Sequence, residues 1–304
     1  MSLNVCGLAS KLKYGIFEET IKDYDFVCLN EIKTNFIAPD EFDNFQVFVS
    51  EKLNKKGKTS GIAILANKNN NFNLNHLDAN SRWVLWLLVG KDPSKPDFIL
   101  GAVYIPCGIS ADTSEAIFDE IFLDIVKIKS VHDLPFILMG DFNARTALLE
   151  DFLDNDHETL DTDFFQADFT NNLEQLNLSQ RYNLDKKTNV NANGLLNLCK
   201  NFNLNIVNGR FGSDKGVGDF TCHKNGIAPS VLDYTIISDS LLPHVADFSV
   251  GTFDRALSDV HCPIFLELFS GEKTDCDNSC ENSPEVTLQN NKTFAHKWRS
   301  GANF

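Results

Sequence analysis

The stretch Phe136-Ile137-Leu138-Met139-Gly140-Asp141-Phe142-Asn143-Ala144-Arg145 joins an apolar run of strand length to an abrupt polar end. A buried strand that ended here would deliver a carboxylate and an amide to its exposed tip. Because alternate residues of an extended chain point the same way, Asp141 and Asn143 would share one face. Such groups can take a proton, hold a divalent cation or orient a water beside a phosphate. The alternative is a strand that ends in a plain Asx turn, which also favours Gly, Asp and Asn.

Length and composition indicate one large domain in solution. The chain has 304 residues and is 43% hydrophobic, which is enough for a single large core. No apolar run approaches the roughly 20 residues needed to span a bilayer, and no secretory signal precedes the first predicted strand. Most of the eight cysteines lie singly in apolar stretches, which is typical of a reducing compartment. We therefore expect an intracellular protein, nuclear or cytoplasmic, that is neither secreted nor bound to a membrane.

The formal net charge of −15 is unfavourable for a partner that carries phosphate. Part of this charge lies between Glu150 and Asp168, a stretch with eight acidic residues and no Lys or Arg. We interpret this stretch as a solvated, mobile loop inserted into the fold.

Hydrophobic periodicity predicts many short strands with helices between them. The predicted strands cover residues 2–6, 26–29, 45–49, 61–66, 83–89, 99–105, 136–139, 204–207, 231–238 and 262–269. The predicted helices cover residues 14–24, 114–130 and 193–202, with Ser114 as a cap, and residues 52–59 form a basic loop. This pattern predicts layered sheets flanked by helices. Residues 1–270 would form the domain, and residues 271–304 a polar linker or disordered tail.

Polar residues recur at the edges of these apolar runs, where burial is costly unless the group is paired or binds a metal. In chain order they are Asn4, Glu31, Tyr104, Asp141, Asn143, Asp233, Ser258, Asp259 and His261. Asp233 is the sharpest case because it lies inside an apolar strand, and His261 is its natural partner. Each residue alone could be a turn residue, a cap or a hydrogen-bonded core side chain. Only the joint pattern favours a site.

Six segments, in order, resemble the endonuclease/exonuclease/phosphatase family over about residues 2–270. They are 3–8 (LNVCGL), 29–34 (LNEIKT), 103–106 (VYIP), 140–145 (GDFNAR), 232–234 (LDY) and 258–264 (SDVHCPI). The resemblance implies an α/β (α+β) fold of the DNase I type, a four-layer sandwich of two mostly antiparallel β-sheets flanked by helices.

Three further segments resemble one branch of this family, the endonuclease domain of non-LTR (LINE-type) retrotransposons. They are 193–199 (NGLLNLC), 206–211 (IVNGRF) and 218–221 (GDFT). Such domains nick target DNA to prime reverse transcription. The resemblance therefore implies a DNA substrate, a monomeric domain and fusion to a reverse transcriptase in the parent element.

The resemblance also implies a metal centre and a base. Glu31 would bind the cation, Mg²⁺ or Mn²⁺, and Asp259 would complete the metal region. Asp141 would activate the attacking water, with Asn4 and Asn143 orienting that water.

The remaining residues would serve the phosphate. Tyr104 and His261 would contact the scissile group and stabilise its developing charge, and Asp233 would hold His261 in the right tautomer and raise its pKa. Thr221 and Ser258 match positions near the phosphate in the retrotransposon branch.

Two positions depart from the family pattern. Cys6 stands where some members have a metal-binding carboxylate, so a two-metal scheme is not supported. Val260 separates Asp259 from His261, whereas most members have these two residue types adjacent. In an extended chain this spacing would put both side chains on one face, and a bulge or turn could change that.

Two alternatives to a nuclease remain at this stage. The first is a phosphomonoesterase or lipid phosphodiesterase on the same scaffold, since a fold does not fix its substrate. Inositol phosphatases of the family carry a Trp before the Gly-Asp motif and a Pro-Ala-Trp-Cys-Asp-Arg segment. Met139 and the segment 230–234 (SVLDY) stand in those places here, which argues against that reading. The second alternative is an inactive relic of a transposon that only binds a partner.

Overall fold

The computed structural model describes residues 1–13, 15–34, 37, 41–50, 61–152, 180–224, 226–269 and 295–296. The strands of one sheet are β1 (Ser2–Asn4), β2 (Phe26–Asn30), β3 (Phe45–Val49), β4 (Ile62–Asn67), β11 (Val245–Val250), β12 (Ile264–Phe269) and β13 (Ala295–His296). Those of the other are β5 (Asn73–Leu77), β6 (Val84–Gly90), β7 (Phe98–Tyr104), β8 (Phe136–Asp141), β9 (Leu204–Ile206) and β10 (Asp233–Ser238). The helices are α1 (Leu8–Lys11), α2 (Gly15–Ile21), α3 (Ala111–Lys129) and α4 (Val190–Phe202).

The two sheets are mixed and mostly antiparallel, as predicted. The first has the order β11-β12-β1-β2-β4-β3, with β13 added on β12, and the second has the order β5-β6-β7-β8-β10-β9. Among the strands that the structure describes, β1–β2 and β7–β8 are the two pairs that run parallel. Each parallel pair brings two strand ends to the same edge of its sheet.

Alternation along the central strands separates two apolar cores. Leu87 and Ile137 face the core that joins the two sheets, while their neighbours Trp86 and Leu138 face α3 and α4. The helical side of the second core includes Ile117, Phe118, Ile121, Ile125, Leu195 and Leu198. The period of two in the strands and the i, i+4 spacing in α3 therefore produce the predicted layers of sheet and helix.

The boundary of α3 and two edge strands differ from the sequence prediction. The helix begins three residues before Ser114, because Ser110 caps it by accepting a hydrogen bond from the Thr113 amide at 3.2 Å. Ser114 is instead buried, and its hydroxyl donates to Asn191 Oδ1 at 2.7 Å. Strands β5 and β11 were not predicted, because both are half-exposed and lack a long apolar run.

The prediction that the acidic stretch is a solvated loop is wrong near its beginning, at Asp151. Asp151 is 1% exposed and pairs with Arg210, whose Nη1 lies 2.6 Å from its carboxylate. The pairing compensates the burial of both charges and anchors the chain after β8. The remainder of that stretch, from residue 153, lies outside the described residues, as do the basic loop 52–59 and, except for β13, the tail from residue 270.

Among the described residues, no helix combines the length and the apolar character that a membrane crossing requires.

Substitution of Gly140 tests whether β7 and β8 depend on a close approach of their backbones. Its φ is 154°, and a Cβ at this position would lie 1.9 Å from the Val103 carbonyl oxygen. We expect Gly140→Ala to lower the free energy of unfolding in urea by about 3 kcal/mol or more, because backbone must move. Gly15→Ala is the control, since the added methyl group meets no atom within 4 Å beyond its chain neighbours and its own helix backbone, and it should change stability by under about 1 kcal/mol. Equal stability of the two variants would contradict this account of the strand pair.

Candidate active site

Strand ends from both sheets converge on one edge of the sandwich. Tyr104 and Asp141 are paired in register at the ends of β7 and β8, and Asp233 at the start of β10 lies opposite Asp141. In the other sheet, β1 ends at Asn4 and β2 is followed by Glu31. The structure therefore brings these five predicted residues together, although they are far apart in the sequence.

Asp141 is fully buried and accepts three hydrogen bonds. The backbone N–H of Asn143 donates to Oδ1 at 2.9 Å, and the side-chain amides of Asn143 and Asn4 each donate to Oδ2 at 2.9 Å. Asn143 has a φ of 45°, so the chain turns sharply and does not stay extended as predicted. Burial raises the pKa of Asp141, and the nearby His261 and the hydrogen bonds offset this only in part.

His261 lies between two carboxylates. Its Nδ1 is 2.9 Å from Asp233 Oδ2, and its Nε2 is 3.8 Å from Asp141 Oδ2. Burial opposes a charged ring, but the charges of Asp233 and Asp141 outweigh burial and raise the pKa of His261. The predicted partnership of Asp233 with His261 is present, and the imidazolium form is favoured.

Glu31 is connected to Asp141 through Asn4. The Asn4 amide donates to Glu31 Oε1 at 3.2 Å, the Tyr104 hydroxyl donates to the same oxygen at 2.9 Å, and Lys33 Nζ lies 3.2 Å from Oε2. Burial opposes ionisation of Glu31, but these donors outweigh it and lower its pKa. Burial and the neighbouring carboxylates raise the pKa of Tyr104 well above its ordinary range, so its hydroxyl remains a donor.

Within the described part of the chain, the Glu31 carboxylate and the cluster of Asp141, Asp233 and His261 are candidate ligands for a cation. Glu31 offers hard carboxylate oxygens on a side chain that is 21% exposed, which suits a divalent ion that keeps several waters and a substrate phosphate. Ligand atoms of Asp141, Asp233 and His261 also lie within 4.8 Å of one another, but the hydrogen bond between Asp233 and His261 already uses one atom of each. The donor chemistry therefore fits Glu31 as the cation ligand better than the buried trio.

Asp259 does not join the other predicted residues, which corrects the prediction that it completes a metal region. Its Oδ1 lies 2.6 Å from Nζ of Lys11 in α1, and its side chain is 65% exposed whereas that of Lys11 is 4% exposed. Lys11 also donates to the Arg255 carbonyl oxygen at 3.1 Å. The buried ammonium requires a counter-charge, and Asp259 supplies it.

Thr221 and Ser258 direct their oxygens at the backbone. Thr221 Oγ1 accepts the amides of Leu232 and Asp233, both at 3.0 Å, and Ser258 Oγ accepts the His261 amide at 3.1 Å. Both side chains are fully buried. Both side chains hold the Asp233 and His261 backbone in place, and their predicted position near a bound phosphate stays a prediction.

Sequence reasoning missed two residues of this site. Lys33 follows Glu31 by two positions and pairs with it, and Asn208 donates to the Asp233 carbonyl oxygen at 3.1 Å while accepting the Thr235 amide at 3.0 Å. Asn208 follows a short apolar run, so the rule that identified polar residues at strand ends would also have found it.

Removal of the Asp259 carboxylate tests its ion pair with Lys11. We expect Asp259→Ala to lower the free energy of unfolding by roughly 1–3 kcal/mol, because it leaves a buried ammonium without its counter-charge. Lys11→Met in the same background should restore most of that loss. Asp78→Ala removes an exposed carboxylate and serves as the control in the same urea titrations. A loss that persists in the double variant would contradict the pairing.

Comparison with solved structures supports the fold. A 3'-5' exonuclease (NExo) from Neisseria meningitidis is 18% identical, with a TM-score of 0.56 over 86% of this chain and 96% of that chain. The AP endonuclease LMAP from Leishmania major is 15% identical, with a TM-score of 0.58 over 86% and 85% of the two chains. The endonuclease domain of TRAS1, a telomere-specific non-LTR retrotransposon, is 14% identical, with a TM-score of 0.54 over 86% and 94%. At these identities the likeness shows the fold alone.

A search of the curated proteins found no significant match. Residues 1–252 match the profile of the Endonuclease/Exonuclease/phosphatase family, whose members are hydrolytic nucleases and phosphatases that generally use divalent metals. This match covers most of the chain and includes five of the six sequence segments, while the sixth, 258–264, follows the matched region. The chain therefore belongs to the Endonuclease/Exonuclease/phosphatase family.

Proposed function

We propose that the protein is a Mg²⁺-dependent endonuclease that hydrolyses DNA phosphodiester bonds and nicks target sites in the manner of a retrotransposon. One observation carries this proposal: Asn4 donates to both Glu31 and Asp141 and so joins the cation ligand to the acid–base residues in one hydrogen-bonded array. Hydrolysis of a phosphodiester needs a base, a charge stabiliser and a cation within reach of one phosphate.

Asp141 is the proposed general base. Its carboxylate is fixed by Asn4 and by the backbone and side chain of Asn143, so little reorganisation is needed when it takes a proton from water. Its raised pKa improves it as a proton acceptor at neutral pH.

His261 and Tyr104 are the proposed donors to the phosphate. Asp233 holds His261 Nδ1, so Nε2 is the nitrogen that faces the side of Asp141 and can donate to a phosphate oxygen. The raised pKa of His261 keeps the ring positive while negative charge develops on the phosphate. The phenol of Tyr104 adds a neutral donor at the same edge.

Glu31 is the proposed ligand of Mg²⁺ or Mn²⁺, both of which prefer oxygen donors. When bound, the cation would act as a Lewis acid on a phosphate oxygen. Lys33 pairs with Glu31, donates to the Cys6 carbonyl oxygen at 3.0 Å and has a half-exposed side chain, so it places a positive charge beside the proposed cation ligand.

DNA is the proposed substrate on two grounds. The structural neighbours carry the names of an exonuclease, AP endonucleases and a retrotransposon endonuclease domain, and three sequence segments resemble the retrotransposon branch. We propose further that the domain acts as a monomer inside the cell and belongs to an element that also encodes a reverse transcriptase.

Plasmid nicking tests the proposed chemistry. Purified protein should convert supercoiled DNA to nicked circles with Mg²⁺, and EDTA should abolish this conversion. Asp141→Asn and His261→Ala should each lower the rate by at least about 100-fold, since each removes a proton-transfer or charge-stabilising group. His76→Ala, which changes an exposed histidine on β5, should cut like the wild type.

The products separate the proposal from its alternatives. Unchanged rates in the Asp141 and His261 variants would refute the site, and Mg²⁺-dependent phosphate release from inositol phosphates without nicking would favour a phosphatase. Binding of DNA without any cleavage would favour an inactive relic.

A further inference from the structure

The sharp turn after β8 depends on side chains from another element. Asn143 has a left-handed φ of 45°. Its side-chain amide donates to Asp141 Oδ2 at 2.9 Å and to the Ile105 carbonyl oxygen at 2.8 Å. The Asn143 carbonyl oxygen accepts the side-chain amides of Asn189 at 2.7 Å and Asn191 at 3.0 Å. A left-handed conformation is uncommon for residues other than glycine, although Asn adopts it more readily than most, and the contacts from Asn189 and Asn191 stabilise it here.

Asn189 occupies the N-cap position of α4 but does not cap that helix. Its backbone is extended, with a φ of −142°, and its side chain makes no capping hydrogen bond. Asn is among the preferred N-cap residues because its oxygen can accept an amide of the first turn. Here Oδ1 accepts the Arg145 amide at 2.9 Å while Nδ2 donates to the Asn143 carbonyl oxygen. The Asn189 side chain therefore bonds the backbone at Asn143 and at Arg145 in the turn and leaves α4 without a side-chain cap.

The same segment also reaches the strand that carries Asp233. The Arg145 guanidinium donates to both carboxylate oxygens of Asp185, at 2.7 and 2.6 Å. Asp185 Oδ2 also accepts the Val231 amide at 3.2 Å, two residues before Asp233. Arg145, whose amide is held by Asn189, thus connects the two strand ends that hold the buried carboxylates.

We propose that Asn189 is a positioning residue of the active site, which acts through Asn143 to hold the donors of the Asp141 carboxylate in place. This inference rests on the proposed function, because it takes Asp141 as the group that acts on the attacking water. The side-chain hydrogen bonds of Asn189 go to the backbone of Asn143 and Arg145, so its effect on Asp141 is indirect.

Two substitutions separate positioning from helix capping. Ser and Asp are as good N-caps as Asn, so Asn189→Ser and Asn189→Asp preserve the capping potential of α4. Ser is too short to make either bond to the turn, and Asp keeps the acceptor but loses the amide donor. In plasmid nicking we expect kcat to fall about 10- to 100-fold in both variants, with KM for DNA within about threefold of wild type. The melting temperature should stay within about 4 °C of wild type.

Asn193→Ser and Asn193→Asp are the matched controls. Asn193 is exposed near the start of the same helix and receives the same changes in size and charge. Both should keep the wild-type kcat. A loss of kcat in these controls, or wild-type kcat in both Asn189 variants, would overturn the proposal.

A double-mutant cycle tests the route of the effect. If Asn189 acts through Asn143, Asn143→Ala combined with Asn189→Ser should be no slower than Asn143→Ala alone. Multiplication of the two losses would instead mean that Asn189 acts by a different route, and would overturn the proposal.

Crystal structures of the wild type and Asn189→Ser give a readout that does not depend on activity. Displacement of the Asn143 amide from Asp141 Oδ2 in the variant would support the positioning role of Asn189, and an unchanged turn would overturn it. If the wild type does not nick DNA, the proposed function fails, and the crystallographic comparison still decides the role of Asn189 in this turn.

Discussion

Two buried carboxylates lie directly opposite each other on neighbouring strands, and the organisation of the site follows from this. Asp141 and Asp233 pair across β8 and β10, where like charges are unfavourable and water cannot screen them. The ring of His261 lies beside both, with one nitrogen on each side, and a positive charge there compensates the pair. Because both carboxylates raise the pKa of His261, replacement of either one should change the protonation of the ring.

This arrangement needs a rigid backbone, and much of the surrounding polar structure supplies it. Thr221 and Asn208 bind the backbone of Asp233 from two sides, and Ser258 binds the amide of His261. Each of these polar side chains is buried, and each is satisfied by a backbone group, so its burial costs little. The apolar layers on both sides of β8 and β10 then hold these strands at fixed positions.

Much of the site could be predicted because polar residues at the ends of apolar strands are visible in the sequence. This pattern identifies Asp141, Asp233 and His261, and the resemblance to the family implies their roles. The partner of Asp259 could not be predicted, because Lys11 lies 248 residues away and only the folded chain brings the two together. The prediction of a solvated loop is wrong at Asp151 for the same reason, since its partner Arg210 follows 59 residues later. Local pattern identifies strands and their tips, whereas long-range ion pairs depend on how those strands pack.

The protonation state of His261 tests the central claim most directly. Nitrogen-detected NMR titration of metal-free protein should show an imidazolium whose pKa is raised to about 10, because Asp233 and Asp141 outweigh burial. The ring should therefore stay charged through neutral pH, and Asp233→Asn should move its titration to lower pH. Titration of the wild-type ring near its ordinary value of about 6.5 would contradict the account, since it would mean that Asp233 and Asp141 do not stabilise the imidazolium of His261.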